Sequence, residues 1–412
     1  MKADFIHKTT CRVCNKSNLV KILDLGEMPL ANAFLKKEDL DKPEKKLPLI
    51  VYFCKNCGLL QLLDVINPEI LFRQYDYLTS ASKPLVNHFI EMAQELVQKF
   101  VKSKDDLVVE IGGNDAVLLA SIKDRCRVLN IEPAGNVAEL SRQKGVETIE
   151  EFFNKELAEK IFKKYGITKV IVANNVIAHI DDLKSVFDGI KTLIGDEGVF
   201  VFEVHWVGNL IGEGGFDQIY HEHLSYFSLL SLMNLIHRFD LKVFDVQLVP
   251  IHGQSLRVCV RKNFDVLTSV DRFLKKEKAL GLDKKETFLK FSEKIRKNKG
   301  KVRNLLLQLK KEGKRIIGYG APAKGNTLLN YFQIGNSILD FLTDTTPLKQ
   351  GLYSPGTHIP IYSPAIKILE KEALDYILLL AWNYADAIME KEKIIRERGV
   401  KFIIPVPEVK II

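Results

Sequence analysis

The chain has 412 residues, 46% of them hydrophobic and 27% charged, which is enough apolar content to bury large cores and too much for a disordered chain. At about 150 residues per domain the length predicts about three domains, and no run of about 18 apolar residues is present to cross a membrane as a helix. The net charge of +8 comes from scattered lysines and arginines, densest between Arg272 and Arg315. That density reads as a solvated helix face that could attract an anionic substrate, and nucleic acid is not expected as a partner.

The first ten residues, MKADFIHKTT, lack the apolar core of a secretion signal, so a reducing cytoplasm is the expected compartment. Two CxxC knuckles follow, Cys11 with Cys14 and Cys54 with Cys57. Four thiolates at this spacing can close a tetrahedron around one Zn2+ with no open position, which makes the site structural and not catalytic. The 39 residues between the knuckles exceed a compact ribbon and predict strands and loops of their own. Cys126 and Cys259 sit in apolar strand-like runs and read as small buried hydrophobes.

After the tyrosine-rich FRQYDYLTSAS, a helix is predicted from the spacing of Leu85, Phe89, Met92 and Leu96. The pattern then alternates strand and helix: LVVEIG, VLNIEP, KVIVANNV (169–176) and GVFVFEV, with a helix through NVAELSRQKG and another from Asp181. Nearly continuous apolar strands separated by helices predict a parallel sheet covered on both faces. Strands from VFDVQLVPIHGQSLRVCV close that domain. Between Thr268 and Lys314, apolar residues seven apart (Phe288, Ile295, Val302, Leu309) predict one or two packing helices, interrupted at Gly281 and Gly300. A second α/β unit begins at RIIGYGA and runs to about residue 412.

Three groups of residues carry chemistry. At the end of the first sheet strand, Glu110-Ile-Gly112-Gly113-Asn114-Asp115 offers a glycine turn for close backbone approach and an acid for an ammonium group. Glu132, at the end of the next strand, can accept from ribose hydroxyls, and Asn174-Asn175 with His179 lie at the end of a third. These features specify an adenosyl cofactor and suit S-adenosylmethionine (SAM) or NAD. The densest cluster of ionisable groups is FDQIYHEHLSYFS, with Tyr220, His221, Glu222, His223 and Tyr226. An imidazole flanked by carboxylate and phenol can strip a weakly acidic proton while the phenol donates to the oxygen that gains charge. A metal reading of HEH fails because histidines at i, i+2 cannot share a helical face. The third group is a second glycine turn, GYGAPAKGNT.

The double CxxC, YDYLTSAS, EIGGND, NIEPAGNVAE, ANNVIAHIDD, FEV, FDQIYHEHLSYFS, IHGQSLR, GYGAPAKGNTLLNY, DTTPLKQGLYSPGTHIPI and LLLAWNY, in that order, resemble the three-domain sugar C-methyltransferases. Those enzymes act on carbon 3 of nucleotide-linked 4-keto deoxysugars. The resemblance spans nearly the whole chain. It implies an α/β enzyme with a small N-terminal zinc-binding module (1–72), a central class I SAM-methyltransferase Rossmann-like domain (73–265) and a second Rossmann-like domain with its helical linker (266–412).

By the same resemblance His223 is the general base, supported by Tyr220 and Glu222, with His179 and Tyr75 or Tyr77 lining the site. Glu110, Gly112, Asn114, Asp115, Glu132, Asn174 and Asn175 would hold SAM. Lys324 and Asn326, with Lys349, Tyr353 and His358, would face the nucleotide diphosphate of the sugar. Two positions depart from the family pattern: NDG reads NDA at Ala116, and HGGS reads HGQS at Gln254. The expected partner is the nucleotide sugar, with the protein a monomer or weak homo-oligomer. Competing readings are O- or N-methylation of a sugar or small acid, and an NAD-dependent oxidoreductase.

Overall fold

The computed structural model describes residues 4–75, 77–251, 253–263, 265–364 and 374–412. The chain forms two compact units that interleave along the sequence. The first contains residues Met1–Val20, Phe53–Gly208 and Leu224–Lys284, and the second Lys21–Tyr52, Asn209–His223 and Lys285–Ile412. Among the described residues no helix is long and apolar enough to cross a membrane.

Five strands form near the N-terminus: β1 (Phe5–His7), β2 (Leu19–Met28), β3 (Leu47–Cys54), β4 (Leu60–Leu62) and β5 (Asp64–Ile66). In the first unit β1 pairs antiparallel with β5. The centre of that unit is a seven-stranded sheet. Its strands are β6 (Leu107–Ile111), β7 (Arg127–Ile131), β8 (Thr148–Ile149), β9 (Val170–Asn174), β10 (Val199–His205), β12 (Lys242–Val249) and β13 (Ser255–Arg261). The short β11 (Ser225–Tyr226) lies outside it and pairs antiparallel with β4.

The sheet order is β12-β13-β10-β9-β6-β7-β8. Strands β6 to β10 run parallel, and β13 is antiparallel to both its neighbours. All of β6 is buried, and β9 is buried up to Asn174. This is the run without alternation that a sheet covered by helices on both faces allows. The chain winds outward from β6 to β8, then returns to β9 and winds the other way, so the carboxyl ends of β6 and β9 flank the switch point where such sheets bind ligands.

The helices begin where local chemistry starts them. Asn154 accepts from the amide of Leu157, and Asp182 from that of Ser185, each satisfying a donor that the first helical turn leaves unpaired. Helix Lys83–Phe100 buries Leu85, Phe89, Met92 and Leu96, as its spacing predicts.

The second unit is built on β14 (Ile316–Tyr319), β15 (Leu342–Thr343), β16 (Ile361–Tyr362), β17 (Tyr376–Leu379), β18 (Lys401–Ile404) and β19 (Lys410–Ile411). They form one sheet in the order β16-β15-β14-β17-β18-β19, parallel except for β19. Helix Lys285–Lys311 buries Phe288, Ile295, Val302 and Leu309 along one stripe. Gly281, at φ +67°, follows the end of helix Thr268–Ala279 as predicted. Gly300 does not interrupt: the helix runs through it, because one glycine costs about 1 kcal/mol and the buried stripe on both sides offsets that.

The two departures from the family pattern share a backbone state. Ala116 has φ +55° and Gln254 has φ +81°, both in the left-handed region that glycine adopts freely. His252, in the same loop as Gln254, lies outside the described residues. Ala116 is fully buried, whereas the Gln254 side chain is exposed and has little packing to set against its strain. Gln254→Gly is therefore expected to stabilise the protein by about 1 kcal/mol, read as a higher urea midpoint at unchanged slope. A lower midpoint would contradict the strain argument.

Candidate functional site

Each CxxC knuckle closes by a tight turn. The amide of Asn15 donates to the carbonyl of Cys11 (2.8 Å) and that of Gly58 to the carbonyl of Cys54 (2.9 Å), with Asn15 and Gly58 left-handed. The turns bring Sγ of Cys11 to 3.5 Å from Cys57 and Sγ of Cys14 to 3.5 Å from Cys54. All four sulfurs lie within 4.8 Å of one another. Four ligands at about 2.3 Å from a tetrahedral Zn2+ would be about 3.8 Å apart, so the four residues fit the ion. The ion takes four protein ligands there and keeps no site for substrate.

The cofactor residues surround the carboxyl ends of β6, β7 and β9 in the first unit. A Cβ on Gly112 would come within 2.5 Å of Val176, and one on Gly113 within 2.4 Å of Asn130 Oδ1, so the turn admits no side chain. Its backbone is fastened from the neighbouring strand: the Gly113 amide donates to Asn130 Oδ1 (3.2 Å), and the Asn114 amide to Glu132 (3.0 Å). The second Glu132 oxygen accepts from the Ala134 amide (2.9 Å). Glu132 thus shapes the turn as well as remaining able to accept from a ribose, since each carboxylate oxygen has a further lone pair.

Glu110 is buried, and desolvation, followed by the charge of Glu132, pushes its pKa up to about 8. Oε2 of Glu110, both polar side-chain atoms of Asn174 and Oδ1 of Asn175 are buried without a hydrogen-bond partner in the chain. Buried polar atoms without partners are rare and costly, and these cluster where an ammonium and a carboxylate of a bound amino acid would meet them. That donor set fits SAM.

Not every predicted cofactor residue points to a ligand. Asp115 gives one oxygen to Lys144, whose Nζ lies 2.7 Å away, while its Oδ1 is buried without a hydrogen-bond partner in the chain. Asn114 spends its side chain on the YDYLTS segment, accepting from the Thr79 amide (2.9 Å) and donating to the carbonyl of Tyr77 (3.1 Å). That bond sets the segment over the turn. Tyr75 belongs to an edge-to-face chain of rings with Phe72 (5.9 Å) and His179 beyond it (5.7 Å from Phe72). Tyr77 is more exposed. Burial, with help from His205, lowers the His179 pKa to about 4, so its imidazole is neutral at pH 7.

A second cluster in the first unit was not anticipated. Glu203, fully buried at the end of β10, accepts from His88 (2.9 Å) and from Arg257 (2.8 Å). Burial opposes its charge, yet the hydrogen bond from His88 and the charge of Arg257 hold its pKa below the usual range. A glutamate inside the apolar run VFVFEV was the signal for it.

The second unit holds the FDQIYHEH loop. The rings of Tyr220 and His223 lie 4.0 Å apart, and His223 Nδ1 donates to the carbonyl of Gln218 (2.8 Å). Since a carbonyl only accepts, the neutral imidazole carries its lone pair on Nε2. Glu222 receives a hydrogen bond from Asn32 (2.7 Å), and burial raises its pKa to about 7. His221 donates from Nε2 to the carbonyls of Leu47 and Pro48, each at 3.2 Å, and so braces the loop. Asp217 accepts from Trp382 Nε1 at 2.6 Å.

Four of the five expected phosphate residues have side-chain partners within the chain. Lys324 bonds Asn383 and lies 4.7 Å over the Trp382 ring, its pKa lowered by burial despite the charge of Asp217. Lys349 donates to the carbonyl of Ala321 (2.8 Å), and Asn326 to that of Ala31 (2.7 Å). Tyr353 pairs through its backbone with Leu35, and His358 with Glu44 at 2.7 Å. Lys324 and Lys349 therefore attend the glycine turn, while Tyr353 and His358 belong to contacts with the 35–44 segment. Asn32, Asp217, Trp382 and Asn383 were missed; Asp217 stands inside FDQIYHEHLSYFS and Trp382 and Asn383 inside LLLAWNY, and only Asn32 lies outside the recognised motifs.

Residues 11–72 match a zinc binding domain family, residues 86–246 the methyltransferase domain, and residues 250–407 the C-methyltransferase C-terminal domain. The chain is 36% identical to the C-methyltransferase NovU of Streptomyces niveus over 406 residues, 98% of this chain and 96% of that one. Among solved structures, geranyl diphosphate C-methyltransferase of Streptomyces coelicolor A3(2) overlaps 44% of this chain and 83% of its own at 12% identity and TM-score 0.34. The magnesium protoporphyrin IX methyltransferase of Synechocystis PCC 6803 overlaps 43% and 83% at 9% identity and TM-score 0.34. Overlaps that slight decide nothing; the near full-length identity does. The chain belongs to the C-methyltransferases, SAM-dependent enzymes in which a zinc-binding domain, a methyltransferase domain and a C-methyltransferase C-terminal domain follow one another.

Proposed function

We propose that this enzyme methylates carbon 3 of a nucleotide-linked 4-keto deoxysugar, with His223 as the base that generates an enolate. The observation that carries the reading is the tautomer of His223, set by the Gln218 carbonyl with the lone pair on Nε2. A ketone at carbon 4 acidifies the hydrogen on carbon 3, and Nε2 takes that proton. The resulting imidazolium is favoured twice: its Nδ1–H bond to Gln218 becomes charge-assisted, and the Tyr220 ring at 4.0 Å offers a π face. The Tyr220 phenol donates to the enolate oxygen, and neutral His179 lines the site as a hydrogen-bonding group. SAM supplies an electrophilic methyl group. Lys324, Lys349 and the amides of Ala323, Lys324 and Gly325 in the first turn of helix Ala323–Phe332 bind the diphosphate, a role for which Lys324 exchanges its Asn383 contact.

His223→Asn is expected to lower both solvent deuterium exchange at carbon 3 and methylation by at least about 100-fold while leaving S-adenosylhomocysteine affinity unchanged. Near wild-type rates of both would remove His223 as the base. NMR of the product reads the acceptor directly, since a methyl on a sugar carbon has no O-methyl or N-methyl shift.

Glu110 supplies a test of the cofactor site with a definite sign. Its folded pKa is raised from 4.5 to about 8, so its contribution to stability is complete below about pH 4.5 and is lost as pH rises through 8. Glu110→Gln, which cannot ionise, is expected to melt higher relative to wild type at pH 8.5 than at pH 5.5 without cofactor, and to bind S-adenosylhomocysteine at least about tenfold more weakly. An equal difference in melting temperature at the two pH values would exclude the buried-carboxyl account.

A further inference from the structure

Arg12 stands between two zinc ligands in Cys11-Arg12-Val13-Cys14, yet its guanidinium is buried and reaches far along the chain. It donates to the carbonyl of Leu62 (2.8 Å), to the carbonyl of Leu224 and to Ser225 Oγ (3.4 Å). Its own amide donates to Gln61 Oε1 (3.1 Å). Nε lies 3.5 Å from the carboxylate of Asp181, which also pairs with Lys8 at 2.7 Å. Leu224, accepting from Arg12, in turn donates its amide to the carbonyl of Ala178 (2.9 Å), and its carbonyl also accepts from the Leu62 amide (3.0 Å).

The two segments gathered in this way are adjacent in sequence to the histidines of the site. Ala178 precedes His179, with Asp181 two residues beyond it, and Leu224 follows His223. An imidazole carried at the end of a short turn goes where its backbone goes, and an error of about 1 Å in a reacting group can cost about 100-fold in rate. Only arginine offers five donors in a rigid fork, enough to hold three acceptors at once while facing a carboxylate.

We propose that Arg12 is a positioning residue: anchored by the cysteine knuckle, its guanidinium clamps the backbone segments that carry His179 and His223. The knuckle then sets the geometry of the reaction as well as the fold of the module. The inference rests on the reading of those histidines as site residues, and it adds to that reading the group that holds their segments in place.

The test compares wild type, Arg12→Met, Arg12→Lys and Asp181→Asn by hydrogen exchange with mass spectrometry, zinc content and steady-state kinetics on a nucleotide 4-ketosugar. Arg12→Met is expected to keep one zinc per chain and its S-adenosylhomocysteine affinity within about twofold. Exchange should rise at least about tenfold in peptides spanning 177–182 and 224–228 but not in those covering 107–111 and 199–204. Turnover should fall about 100-fold with KM within about threefold, and Arg12→Lys should recover less than about a tenth of it. Asp181→Asn, which keeps the side-chain shape, should show the same pattern more weakly and decides the matter if Arg12→Met does not fold.

Exchange that rises uniformly across the first unit, or turnover that stays normal below the melting temperature, would overturn the proposal. The exchange measurement uses no substrate, so it reads the clamp even in an enzyme that ignores 4-ketosugars, a result that would sink the substrate reading alone.

Discussion

Two backbone amides converge on the carboxylate of Glu132, one from Asn114 in the glycine turn and one from Ala134 beyond its own strand. Parallel strands that are apolar throughout leave their polar groups at their carboxyl ends, where helices cover the sheet and little water reaches. A carboxylate there must be bonded, protonated or matched by a bound cation. Glu132 takes the first course and Glu203 does too, with His88 and Arg257. Glu110 is pushed toward the second, which leaves it prepared for the third. The cofactor pocket is thus the place where the sheet leaves this requirement unmet by the chain itself.

The FDQIYHEH loop of the second unit meets the same requirement differently. Four polar side chains in it are each assigned a definite task by a partner: His221 by two carbonyls, Glu222 by Asn32, Asp217 by Trp382, and His223 by Gln218. One oxygen of Glu222 accepts from Asn32, and the His223 imidazole is oriented by a backbone carbonyl five residues earlier. A carbonyl cannot take the proton away, so it fixes the tautomer without competing as a base.

Family membership removes two readings that the glycine turns had left open. An adenosyl pocket with a ribose-accepting glutamate suits NAD as well as SAM, and the acceptor atom of a methyl transfer leaves no mark in a motif. The methyltransferase and C-methyltransferase domains decide for SAM and for carbon. The buried, unpartnered amide of Asn174 agrees with a ligand that brings its own polar groups.

Much of this was legible in the residues alone, because it depends on spacing along the chain. Two cysteines three apart make a knuckle, apolar runs between helical repeats make a parallel sheet, and a seven-residue stripe makes the buried face of helix Lys285–Lys311. Gly300 misled because helix propensity is a small local preference and the buried stripe outweighs it. The backbone at Ala116 and Gln254 was not legible, since neither residue announces a left-handed conformation. Only the tertiary structure could join Arg12 to Leu224, 212 residues away, or Asn32 to Glu222, 190 away. It alone decided which carboxyls lose their water and so hold their protons. Sequence settles what neighbours along the chain do to one another, whereas burial and partnership depend on which distant segments the folded topology brings into reach.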